Sequence, residues 1–126
     1  MQNNTIIDNQ EVKNEKIIVF DEESCPVTAT MQVLGGKWKA ILINAIYHTS
    51  PARFGELKRS VKGITQSMLT SQLRELEDDG LISRKIYAEI PPRVEYTLTE
   101  FGLTLSPIMQ SLANWGAEYR ISKQKA

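Results

Sequence analysis

At Gly80 the apolar residues of this chain change period from helical to alternating, and that change restricts the possible folds more than any other feature. Before it, TQSMLTSQLRELEDDG (65–80) spaces Leu69, Leu73 and Leu76 by four and three residues, with Thr65 placed as an N-cap and Gly80 as a C-terminal stop. After it, SRKIYA (83–88) and RVEYTL (93–98) read as strands, Val94, Tyr96 and Leu98 alternating against Glu95 and Thr97. Glu89-Ile90-Pro91-Pro92 joins the strands into a β-hairpin.

Upstream, the spacing predicts three more helices. Val27, Met31 and Leu34 recur at helical intervals after Pro26, and Gly35-Gly36 ends that segment. KWKAILINAIYH (37–48) carries Trp38, Ile41, Leu42, Ala45 and Ile46 as one apolar stripe, stopped by Ser50-Pro51. A short helix fits Gly55 to Val61, with Phe54, Leu57 and Val61 on one side and Lys58 and Arg59 on the other, before a turn at Lys62-Gly63. Downstream, Thr99 can cap one long helix to about Arg120, bent at Pro107. A short helix, a glycine turn, a polar-faced helix and a two-stranded hairpin lay out a winged helix-turn-helix, so the expected fold is mainly α (α+β) with a C-terminal dimerisation helix.

The 126 residues suffice for one domain of 25–126 behind an acidic, mobile N-terminal arm of 1–24 that bears one apolar patch, Ile17, Ile18, Val19 and Phe20. No apolar run is long enough to span a bilayer and no basic flank precedes an apolar stretch at the N-terminus, so the expected location is the cytoplasm. One cysteine, Cys25, and one histidine, His48, make neither an internal disulfide nor a four-ligand metal site, and no cofactor is expected. Formal net charge is zero, but residues 1–24 hold two lysines against six acids, net −4, which leaves +4 for the rest. The body is mildly basic, as a DNA partner requires.

GKWKAILINAIYH, RFGELKRSVKGITQSMLTSQLRELEDDGLISRKIY and PPRVEYTLTEFG closely resemble the HxlR-type transcriptional regulators, a similarity running from Cys25 to about Tyr119. It implies a dimeric winged-helix DNA binder related in shape to MarR-type regulators, and it leaves residues 1–24 uncovered.

A recognition helix needs side chains with hydrogen-bonding heads opposite its core stripe, and Gln66, Ser67, Thr70, Ser71 and Arg74 meet that need. Gln66 suits an adenine edge and Arg74 a guanine or a phosphate, while Ser67, Thr70 and Ser71 suit backbone and base alike. Arg93, at the rigid Pro91-Pro92 turn, would be held out towards the minor groove, supported by Arg84 and Lys85. Lys37, Lys39, Arg53, Lys58, Arg59 and Lys62 are placed to clamp phosphates.

Leu105, Ile108, Met109, Leu112, Trp115 and Tyr119 on the terminal helix exceed what one side of a small domain can cover. Together with Val27, Met31 and Leu34 they are expected to form a homodimer contact that spaces two recognition helices along a pseudo-palindromic operator. Cys25, just ahead of Pro26 at a helix start, sits where free N–H groups favour an oxidisable thiolate, and the resemblance includes thiol-based sensors; burial would instead make it inert. His48 is assigned no function and the small-molecule effector stays open. No phosphate-cradling loop or nucleophile–base pair suggests an enzyme. The alternative is a winged-helix protein-interaction module without DNA binding, which an acidic or apolar face on 65–74 would favour.

Overall fold

The computed structural model describes residues 5–9 and 15–125, in two compact units divided between Gly36 and Lys37. The first unit holds strands β1 (Thr5–Asn9) and β2 (Glu15–Val19), antiparallel with Ile6 opposite Ile18 and Ile7 opposite Ile17, and helix α1 (Pro26–Leu34). No regular element is expected from the sequence before Pro26, and the apolar patch at 17–20 is largely a strand. Cross-strand pairing between segments this short leaves little local signal. Of the expected arm, residues 1–4 and 10–14 lie outside the described residues. Pro26 opens α1 in the first turn, where its missing N–H has no intrahelical partner to lose, and Gly36 leaves the helix at φ 79°.

The second unit runs α2 (Lys39–Thr49), β3 (Ala52–Arg53), α3 (Phe54–Ser60), α4 (Gln66–Asp78), β4 (Ile82–Tyr87), β5 (Arg93–Leu98), α5 (Glu100–Leu103) and α6 (Ser106–Lys125). Its sheet is antiparallel in the order β3-β5-β4. The two residues of β3 are too few to show a period, yet Ala52 opposite Tyr96 and Arg53 opposite Glu95 fasten the wing to the start of α3. Leu42, Ile43 and Ile46 of α2, Leu57 of α3, Leu69, Leu73 and Leu76 of α4, and Ile82 and Tyr96 of the sheet are buried together with Val61, Ile64 and Leu81. The stripe on α2 is therefore turned from the expected one: Ile43 is inside and Ile41 is exposed.

Two bonds join the end of the polar-faced helix to the end of the wing. Gly80 leaves α4 at φ 77°, the Thr99 amide donates to the Leu81 carbonyl (3.0 Å), and Thr99 Oγ1 donates to the Gly80 carbonyl (2.6 Å). The same Oγ1 caps α5 by accepting from the Gly102 amide (2.9 Å). A Cβ at Gly102 would stand 2.1 Å from the Leu81 carbonyl oxygen, so only glycine lets α5 approach so closely.

The expected single terminal helix is two. α5 stops after one turn, Thr104 and Leu105 intervene, and α6 restarts at Ser106 with Pro107 in its first turn. A proline cannot donate to the preceding turn, so Pro107 marks a new helix start where the sequence reading expects a bend. None of the twenty residues of α6 is buried.

Candidate nucleic-acid interface

The physical basis of the site is the two-sidedness of α4. Thr65 caps it by accepting from the Met68 amide at 3.1 Å, and the three leucines turn one edge into the core. The opposite edge exposes Gln66, Ser67, Ser71 and Arg74, with Thr70 half-buried. The five residues singled out in the sequence thus lie on one helix, but they are not equally free. Thr70 Oγ1 donates to the Gln66 carbonyl at 2.9 Å, and Ser67 Oγ lies 3.3 Å from the capping Thr65 hydroxyl. No hydrogen bond or ion pair engages the side chains of Gln66, Ser71 or Arg74 among the described residues.

Arg74 also lines a crevice of about 400 Å³ between α4 and the sheet, with Phe54, Gln66, Glu77, Arg84 and Tyr96. Arg84 Nε stands 3.6 Å from Glu77 Oε1, a loose and partly exposed pair. Burial pushes the Tyr96 hydroxyl above its ordinary range, while the cations Arg84 and Arg74 pull it down and Glu77 pulls it up. The crevice floor therefore feels both arginines.

Of the expected phosphate clamps, Lys37, Arg53, Lys58, Arg59 and Lys62 are exposed. Lys37 Nζ rests 4.8 Å above the Trp38 ring. Lys39 differs: its side chain is only 12% exposed and Nζ is 2.6 Å from Glu75 Oε1, so it ties the start of α2 to α4 in place of pointing outwards. The partners are 36 positions apart in sequence, and no local pattern announces them.

Arg93 also departs from expectation. It opens β5, as the strand 93–98 read from the sequence has it, but its guanidinium is not held out: it folds back onto the hairpin. Nη2 and Nε bond Glu89 at 2.7 and 3.3 Å, Nη1 bonds Glu95 at 2.6 Å, and the group lies 3.7 Å over the Tyr87 ring. The bonds from Arg93 hold the Glu89 carboxyl below the usual carboxylate range, and those to Glu89 and then Glu95 push the guanidinium above its own. This cluster was partly visible: Glu95 is two positions from Arg93 on the same strand face, and Tyr87 is its cross-strand partner. Lys85 remains exposed, 4.9 Å from the same ring.

On α6, Ile108, Leu112, Trp115 and Tyr119 are exposed by 44, 44, 67 and 50%, Trp115 and Tyr119 stacked at 5.4 Å; Leu105, just ahead of the helix, is half-buried. On α1, Val27 and Met31 are exposed, Leu34 is buried, and Cys25 is the half-buried N-cap residue. Among the described residues no three His, Cys, Asp or Glu side chains are grouped to hold a metal ion, and no helix is long and apolar enough to cross a membrane.

The family model for the HxlR-like helix-turn-helix matches residues 33–124, which takes in both edges of α4, the wing and almost all of α6. The chain belongs to the HxlR-like helix-turn-helix family. It is thus a DNA-binding transcriptional regulator with a winged helix-turn-helix and a C-terminal helix. It is 50% identical over 110 residues to the HTH-type transcriptional regulator YdeP of Bacillus subtilis (strain 168), covering 84% of each chain. Among solved structures it is similar to the redox regulator HypR in its reduced form (48% identity, TM-score 0.75, 80% of this chain and 99% of that one). The oxidised form of HypR is also similar, with 51% identity, a TM-score of 0.70, and coverage of 75% of this chain and 96% of that one. HxlR-like residues begin within α1, so β1 and β2 lie outside the family's part of the chain.

Proposed function

We propose that this regulator binds a pseudo-palindromic operator in double-stranded DNA as a homodimer, with α4 of each protomer in a major groove and the β4–β5 wing against the adjoining minor groove. The observation that carries the reading is the open edge of α4: Gln66, Ser71 and Arg74 point away from the leucines and have no side-chain partner among the described residues. A glutamine matches the donor–acceptor pair of adenine, and an arginine that of guanine. Ser67 and Thr70, whose hydroxyls are engaged within α4, suit backbone contacts better than base edges. Lys37, Arg53, Lys58, Arg59 and Lys62 supply phosphate contacts, whereas Lys39 is held by Glu75.

The second copy is received by Ile108, Leu112, Trp115 and Tyr119 with Leu105, and by Val27 and Met31. On α6 a row of exposed apolar side chains of this kind suits an interface, and on α1 Val27 and Met31 are exposed as well. A two-fold dimer sets the recognition helices about 34 Å apart, one turn of DNA. The regulator then works in the cytoplasm, where its DNA is.

Thiol sensing through Cys25 is the added reading, favoured by the likeness to a redox regulator solved in both oxidised and reduced forms. With one cysteine per chain, any disulfide must join Cys25 to another molecule.

Fluorescence anisotropy with duplexes selected from a randomised pool tests the reading. Specific binding that weakens with salt and with Arg74→Ala supports it, and no preference for any duplex refutes it. Loss of binding on mild oxidation, absent in Cys25→Ser, supports sensing; equal oxidation sensitivity in both proteins removes it.

A further inference from the structure

We infer that the wing meets the minor groove through an apolar tip, Ile90, and that Arg93 positions this tip without itself touching DNA; the inference rests on the operator binding proposed above. Ile90 is the most exposed apolar side chain of the described residues, at 102% relative exposure. A single exposed isoleucine is ordinary on a protein surface. What sets this one apart is how firmly the turn that presents it is held.

Immediately before Ile90, the Glu89 carboxylate is bound through both oxygens by Arg93. Immediately after it, Pro91 and Pro92 fix φ. Arg93 is in turn held by Glu95 at 2.6 Å and by the face of Tyr87 at 3.7 Å. The four-residue turn is thus anchored on both flanks while its outermost side chain is apolar, and a preordered loop loses less conformational freedom when it binds.

Charge points the same way. The turn itself, residues 89–92, holds Glu89 as its one charged side chain, and the neighbouring cations Arg93, Lys85 and Arg53 stand on the strands, Lys85 and Arg53 each opposite Glu95. A turn with no cation of its own offers phosphates no attraction at Ile90. If Arg93 swung out to reach a phosphate, it would leave two carboxylates unpaired beside the DNA backbone. Isoleucine and proline are among the apolar side chains that proteins press into the minor groove as wedges, so Ile90 with the two prolines after it has the required chemistry.

The test uses the full chain and the duplex that the wild type selects from a random pool, with affinities measured across a range of salt and thermal midpoints recorded. Ile90→Ser is expected to bind about tenfold more weakly, from lost apolar burial, with unchanged midpoint and unchanged salt dependence; Ile90→Leu is expected to restore most of the affinity. Arg93→Met is expected to weaken binding at the wild-type slope of log affinity against log salt. Undiminished affinity in Ile90→Ser overturns the inference. So does a slope shallower by about two per dimer in Arg93→Met, the mark of one lost phosphate contact per subunit. If the wild type itself selects no duplex, the operator reading fails and takes this inference with it, a result separate from the other two.

Discussion

Helices α4 and α6 belong to the same compact unit and both carry rows of large apolar side chains, yet they use them in opposite ways. In α4 the leucines at 69, 73 and 76 are all but inaccessible and only polar residues are left outside. In α6 no residue is buried, and Ile108, Leu112, Trp115 and Tyr119 face solvent. In the proposed homodimer, the difference separates what one protomer completes alone from what it leaves for a second. The orientation of α4 is fixed within the chain by its leucines, by Lys39–Glu75 and by the Gly80–Thr99 bonds. In the proposed dimer the surface of α6 acquires its interior on association.

The sharpest way to break this contrast is to delete one side chain from each helix. Leu73→Ala should lower protomer stability by about 3 kcal/mol through transfer and cavity terms, read from denaturant midpoints. Trp115→Ala should leave the protomer folded and instead raise the dimer dissociation constant by about 2 kcal/mol equivalent, read by sedimentation. An effect of Trp115→Ala on folding alone would erase the distinction. Gly102→Ala should cost about 1–3 kcal/mol, because its Cβ meets backbone at Leu81 that cannot move without shifting the end of α4. Thr99→Ala should cost about 1 kcal/mol by loss of the α5 cap and the tie to Gly80.

The smallest expected effect is on the wing in acid. The folded-state carboxyl of Glu89 is held below its unfolded value, so its contribution is present above the ordinary glutamate range and is lost as pH falls through the depressed value. Protection factors of the amides at 87–90 and 93, each taken against its intrinsic rate at the same pH, should accordingly fall under acid while those of α4 hold; wing protection that ignores pH would show that the Glu89–Arg93 pair does not hold the tip.

Much of α4 was legible because its signals are local. Thr65, the leucine spacing and Gly80 lie within sixteen residues, and each has the same structural meaning wherever it occurs. The hairpin was legible for the same reason. The break before α6 was not, since Pro107 fits a bent helix and a new start equally well until Thr99 and Gly102 are seen to close α5. β3 and the β1–β2 pair needed cross-strand partners that sequence order conceals. In the candidate site, the polar edge of α4 was foreseen, but Lys39 and Arg93 were misplaced because a cation's availability depends on which carboxylate the fold brings to it. Glu75 reaches Lys39 across the fold, whereas Glu89 and Glu95 flank Arg93 closely enough to have been weighed.

The most direct test of the central claim, that the open edge of α4 reads DNA, is the ratio of affinities for the selected duplex and a shuffled one, measured for wild type and Arg74→Ala at a single salt concentration. The account predicts a large ratio for the wild type that falls at least tenfold in the variant. An Arg74→Ala protein that keeps the full wild-type ratio would contradict it.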